Sequence, residues 1–282
     1  MKCGYYLKPM SLSDSSIGRT IKGGINMSFF NKVLASVGVG NAKVDTKLSD
    51  SIFKVGDMIS GVTEIVGGNT SQSVEAIYIK VYTTYEREAN DKKYTDSIAI
   101  YSHKITEPFL IKEKEKKEFT FSFNLPLNTP VTMGKTRVWL QTGLDIKNSV
   151  DPGDKDMIEI RPNSFIQAGL TAAQNLGLKL RNVDCEEAPR AYRGITKFVQ
   201  EFEFVANGGP FRGKFDEIEF TFISKGMDQV ELLIQVDRKV RGLGSLFSEA
   251  LNMDESFIRL TLSKTDLASL ESKLLKEITR YA

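Results

Sequence analysis

The side chains able to do covalent or metal chemistry are few in this sequence: one histidine, two cysteines and an aspartate-bearing turn. His103 stands between Ser102 and Lys104 in a strand-like stretch, and neither a Ser-His-Asp relay nor a multi-histidine metal set can be assembled around it. It reads as a packed or solvated strand histidine. Cys185 lies in DCEEAPR with no CxxC partner and no histidine base nearby, which makes it structural. Asp151, Asp154 and Asp156 come nearest to a calcium loop, yet the spacing departs from an EF-hand and the terminal bidentate acid is missing. An Asp-Pro-Gly-Asp turn is expected there. Gly67-Gly68 and Gly208-Gly209 lack the context of a phosphate cradle and read as turns. These residues point to a protein without catalytic residues, without a cofactor and without a bound metal.

Composition narrows the class further. At 282 residues the chain is long enough for two domains, and 41% hydrophobic with 26% charged residues is a globular balance. Thirty-eight basic against 36 acidic residues leave a net charge of +2, which gives no general attraction to nucleic acid. Cys3 and Cys185 cannot build a disulfide framework. With no apolar run of about 20 residues and no secretory signal, a reducing, cytoplasmic location is expected.

The elements that must position these residues are mainly strands. Alternation of Val44, Thr46 and Leu48, then of Ile77, Ile79, Val81 and Thr83 against Tyr78, Lys80 and Tyr82, marks half-buried strands. Further strands are expected at 58–68, 97–111 with a break at Glu107-Pro108, 119–126, 136–146 and 157–160; KEKEKKE (112–118) reads as a solvated loop. This gives roughly seven or eight strands, the count of an immunoglobulin-like sandwich. The period changes after Arg161-Pro162. Ser164 is the expected cap of a short helix over 165–177, with Gly177 as its stop. Strands resume at 178–186, 196–206, 216–225 and 229–240, where EFEF and EIEFTF set polar against aromatic faces, and end at 255–262 after a helical excursion over 242–254.

Two segments suggest contacts. Phe29, Phe30, Val33, Leu34 and Val37 form a short amphipathic stretch that packs on the first sandwich or reaches a partner or membrane; with Lys32 alone its pull on lipid is weak. Leu267, Leu270, Leu274 and Ile278 form the apolar stripe of a terminal helix capped by Ser263 or Thr265, which docks within the chain or onto a second copy, so a homo-oligomer stays open. Residues 1–26 carry no periodicity, whereas the amphipathic pattern begins at Met27. Lys22-Gly23-Gly24 shortly before it can be encoded by a ribosome-binding purine run, so Met27 is the expected natural start. The expected organisation is therefore a leader at 1–26, an N-terminal sandwich at 27–162, a C-terminal sandwich with its connecting helix at 163–262, and a terminal helix at 263–282.

The phrases NKVLASVGVGNAKVDTKL (31–48), VWLQTGLDIKNSVDPGDKD (138–156), LKLRNVDCEEAPR (178–190) and FVQEFEFVA (198–206) resemble the bacterial stage-zero sporulation protein M family. The resemblance spans nearly all of 27–282 and implies tandem arrestin-like β-sandwiches, a cytoplasmic location, a role in controlling sporulation and no catalytic residues. Arrestin-like proteins act as adaptors for other proteins, and their two domains meet across a polar interface. Arg181, Asp184, Glu186, Glu187, Arg190 and Arg193 follow the boundary and are the candidates for such interdomain contacts.

Overall fold

The computed structural model describes residues 41–90, 92–147, 151–189, 192, 196–238 and 255–282. The amphipathic stretch from Phe29 to Val37, residues 1–26, the 242–254 excursion, Arg190 and Arg193 lie outside them. All the described residues belong to one compact unit.

The chain is mainly β. Its first half contains β1 (Lys43–Leu48), β2 (Ile52–Lys54), β3 (Met58–Val66), β4 (Gln72–Ala89), β5 (Lys92–Lys104), β6 (Phe109–Ile111), β7 (Lys116–Asn124), β8 (Val138–Ile146) and β9 (Gly153–Arg161). A three-stranded sheet runs β1-β3-β7, and the facing sheet is built on β4, which pairs with β5 and β6 along one edge and β8 along the other. Ile59, Phe121 and Phe123 from the small sheet meet Ile79, Val81, Val138 and Leu140 from the large one in a buried core. Buried hydroxyls tie the layers together: Thr46 Oγ1 lies 3.2 Å from Thr63 Oγ1 and 2.7 Å from Thr142 Oγ1. The pairing satisfies polar groups that burial would otherwise penalise.

Two local expectations are corrected here. KEKEKKE is not wholly a loop, because β7 begins at Lys116 and pairs Lys116, Lys117 and Glu118 with Val66, Ile65 and Glu64. An edge strand with one wet face tolerates charges, and Lys116 sits 3.8 Å from Glu64. The helix α1 (Ser164–Asn175) is capped by Asn163 rather than Ser164: the Asn163 backbone is extended and its side chain accepts from the Phe165 and Ile166 N–H groups, both at 3.1 Å. Gly177 ends the helix as expected, with φ +78° and a backbone approach to Gly208 that leaves no room for a Cβ.

The second half is an antiparallel run of β10 (Leu178–Glu187), β11 (Phe198–Ala206), β12 (Phe215–Ser224), β13 (Gln229–Arg238) and β14 (Glu255–Ser263). Period-2 alternation turns Phe202, Phe204, Phe220, Leu232, Ile234 and Ile258 to one face. That face is covered by α1 and by the terminal helix α2 (Leu270–Thr279), whose Leu270, Leu274 and Ile278 are all buried. A capping box joins Ser263 to Asp266 across the 3₁₀ turn that precedes α2. The hydrogen bonds and the neighbouring Lys273 hold the Asp266 carboxyl well below its usual range. The leucine stripe thus docks within the chain. On the opposite face Val199, Ile223 and Leu233 form a smaller cluster with Ala188 and Tyr192.

The halves share a sheet. β4 is 18 residues long, and its pairing with β8 stops at Thr83. The remaining end continues beside β5 and meets β10 in parallel through the single register pair Glu86–Glu186.

Candidate functional site

The seam where β4 approaches β10 gathers charged groups from both halves around the buried Asp184. Sequence alternation explains which residues face it. A bulge between Leu180 and Asn182 resets β10, so that Val183 turns into the core opposite Phe202 while Asp184 and Glu186 turn outward opposite Glu201 and Val199. Glu86 lies at the matching position on β4. Behind this polar face the seam is apolar: Tyr85 stacks on Phe198 at 6.1 Å, and Cys185 is buried with its Sγ 3.8 Å from Thr136 Oγ1.

Two lysines from the first half neutralise part of the acid. Lys135 Nζ lies 3.4 Å from Asp184 and 3.8 Å from Glu86. Lys93 Nζ lies 3.7 Å from Glu86 and 3.9 Å from Glu186. Asp184 raises the pKa of Lys135 most, with Glu86 adding to it. Burial lifts Glu201 to about 7, helped by the negative charge of Glu186 and Asp184; burial, then Glu86 and Asp184, raise Glu186 as well. Asp184 is the deepest of the acids, at 8% exposure. Asn182 donates to its Oδ2 at 2.9 Å, whereas its buried Oδ1 has no hydrogen-bond partner among the described residues.

The loop before β8 completes the junction. Gly134 takes φ +57°, and a Cβ there would lie 2.5 Å from the Val183 carbonyl oxygen, so only glycine lets the loop lie flat on β10. Gln200 of β11 then clasps it from the other half. Its Oε1 accepts from the Val131 N–H at 2.8 Å, and its Nε2 donates to the Val131 carbonyl at 2.7 Å and to Thr136 Oγ1 at 3.1 Å.

Of the six residues singled out after the boundary, Asp184 and Glu186 lie in this seam. Arg181 points along its own sheet instead, pairing with Glu203 and Glu217 on β11 and β12. Glu187 ends β10 opposite Phe198, and Arg190 and Arg193 lie outside the described residues. Glu86, Lys93, Lys135, Gln200 and Glu201 were not singled out from the sequence. Alternation shows which face each takes, but no local signal says that the end of a hairpin meets a strand so far along the chain.

The other chemistry-bearing residues are dispersed. His103 packs its ring against Phe123 at 5.4 Å and beside Tyr101. Burial pushes the Cys185 thiol up to about 12, which removes its nucleophilic form at neutral pH. Asp151 accepts from the Ile146 N–H at 3.0 Å and closes the β8–β9 connection, while Asp154 accepts from the Thr46 N–H at 2.8 Å across to β1. Asp154 and Asp156 are near neighbours on β9, and among the described residues the three aspartates do not form a set of carboxylates within 4.8 Å of one another. Among the described residues no helix is long and apolar enough to cross a membrane.

The chain is similar to known proteins over most of its length. A family model described as SpoOM protein matches residues 30–240. The sporulation-control protein spo0M of Bacillus subtilis (strain 168) is 37% identical over 254 residues, covering 89% of this chain and 98% of that protein. The crystal structure of Spo0M, a sporulation control protein from Bacillus subtilis, superposes with a TM-score of 0.77 at 33% identity. It covers 86% of this chain and 100% of the other.

Proposed function

Since this chain belongs to the SpoOM protein family, we propose that it controls sporulation as a non-catalytic cytoplasmic adaptor, exchanging contacts with other proteins rather than turning over a substrate. The observation that carries this reading is the seam. On its polar face one register pair and a set of lysine–carboxylate contacts run between the two halves, beside the Gln200 clasp and the Tyr85–Phe198 stack. Both lysine side chains are about two-thirds exposed, at 67% and 68%. Exposed pairs of this kind contribute little each and are open to competition. A partner presenting its own charges at this face can therefore shift the fit of one half against the other, and such a shift is how an adaptor reports binding without chemistry. The buried, protonated thiol of Cys185 and the ring-packed His103 support the non-catalytic side of the proposal.

The test is the double variant Lys93→Ala/Lys135→Ala. Amide exchange across 131–136 and 183–187 should quicken several-fold while the rest of the sheets keep their protection. Placed in a Bacillus subtilis strain lacking spo0M, a gene for the unaltered chain should restore normal sporulation control and the variant should not. If exchange quickens and spore counts nevertheless match those of the unaltered chain, the seam is not the regulatory element.

A further inference from the structure

We infer that the seam is also a binding site for a hard divalent cation, with calcium the best match. Glu86, Asp184 and Glu186 each present a carboxylate oxygen, and the three oxygens lie within 4.8 Å of one another. Small side-chain shifts bring such a triangle onto one ion at calcium–oxygen distances of about 2.3–2.6 Å.

A second observation points to the ligand independently of this clustering. Asp184 is 8% exposed, and among the described residues its Oδ1 has no hydrogen-bond partner, although Oδ2 is held by Asn182 and Lys135. A buried carboxylate oxygen without a donor is costly, and a cation is the group that satisfies it best. Asp184 also lines a cavity of about 130 Å³, together with Glu86, Lys135 and Thr136 among others. That volume holds an ion and the few waters that complete its shell, each water filling about 30 Å³.

The charge balance agrees. Glu86, Asp184, Glu186 and Glu201 face the ammonium groups of Lys93 and Lys135. The three ligand carboxylates against two ammonium groups leave one negative charge, and Glu201 adds a second as pH rises past about 7. An all-oxygen donor set with three carboxylates selects hard cations over zinc, and its irregular arrangement suits the flexible coordination of calcium better than the strict octahedron of magnesium. Since Glu86 comes from β4 and the other two ligands from β10, the bound ion clamps the halves together.

The experiment uses the full chain, stripped with EDTA and titrated with CaCl₂ and separately with MnCl₂, followed by calorimetry and thermal unfolding. Saturable binding is expected, with Tm rising by about 5–10 °C when free ion reaches about 100 times Kd. Glu86→Gln removes a half-buried ligand at the rim, so the stripped variant should keep the parent's circular dichroism and Tm while losing at least tenfold in affinity. Asp184→Asn provides a second variant with the same expected loss. Absence of saturable binding for both ions, or equal binding by the parent and Glu86→Gln, overturns the proposal. This outcome is independent of whether the seam variant above changes sporulation.

Discussion

Asp156 lies on β9 near Asp154 and Asp45, and burial first, then those two negative neighbours, lift its carboxyl to about 7. An unfolded aspartate titrates near 3.9. Between those values the folded chain holds a proton that the unfolded chain releases, so the contribution of Asp156 to stability is greatest below about pH 4 and falls as pH rises to about 7. Asp156→Asn is neutral throughout. Its Tm should exceed the parent's by a few degrees at pH 8, and the gap should close near pH 4; a gap independent of pH would refute the assignment. The aspartates of this turn were visible in the sequence as a cluster, but their roles were set by strands elsewhere. Asp154 is engaged by the Thr46 backbone from β1, and Asp151 by Ile146. Acidic spacing along a chain cannot show which strand will lie across from it. For the same reason Asp184 and Glu186 were readable as polar contacts while their partners Glu86, Lys93 and Lys135 were not.

Individual elements were more legible where period and burial agree. The alternation of Ile77, Ile79 and Val81 and of Phe202 and Phe204 gave β4 and β11 because one face of each is dry. β2, only three residues long and paired in parallel with β9, is too short to show any period. The first residues of β5 and β7 are charged or exposed on both faces, so hydrophobicity does not announce them. The terminal helix was clear from its leucine spacing, and burial turns that pattern into energy: Leu274 is fully enclosed. Leu274→Ala should destabilise the chain by about 2–5 kcal/mol in chemical denaturation, whereas truncating the cap in Asn163→Ala should cost about 1 kcal/mol. Comparable losses from the two changes would mean that α2 is not part of the cooperative core. Asn175 Nδ2 also donates to Glu271 at 2.8 Å, joining the two helices at their exposed side.

At the scale of the whole molecule, one apolar cluster takes in residues of both halves, and charged contacts add to their junction at the seam. Salt should therefore act selectively. At about 1 M NaCl the screening length falls to about 3 Å, so the radius of gyration from small-angle scattering should rise while the unfolding midpoint barely moves. An unchanged scattering curve would show that Tyr85–Phe198 stacking and the Gln200 clasp hold the seam without help from charge. The long overhang of β4 also has a consequence in time. Every strand of the first half precedes α1 in the chain, so during synthesis β4 and β5 can already be paired before Asp184 and Glu186 leave the ribosome. The free edge beyond Thr83 then stands as a template on which β10 lands, and the long loop separating Glu86 from Glu186 has been shortened by structure already formed. Vectorial synthesis gives this topology an order of assembly that refolding from denaturant, where both halves search at once, does not share.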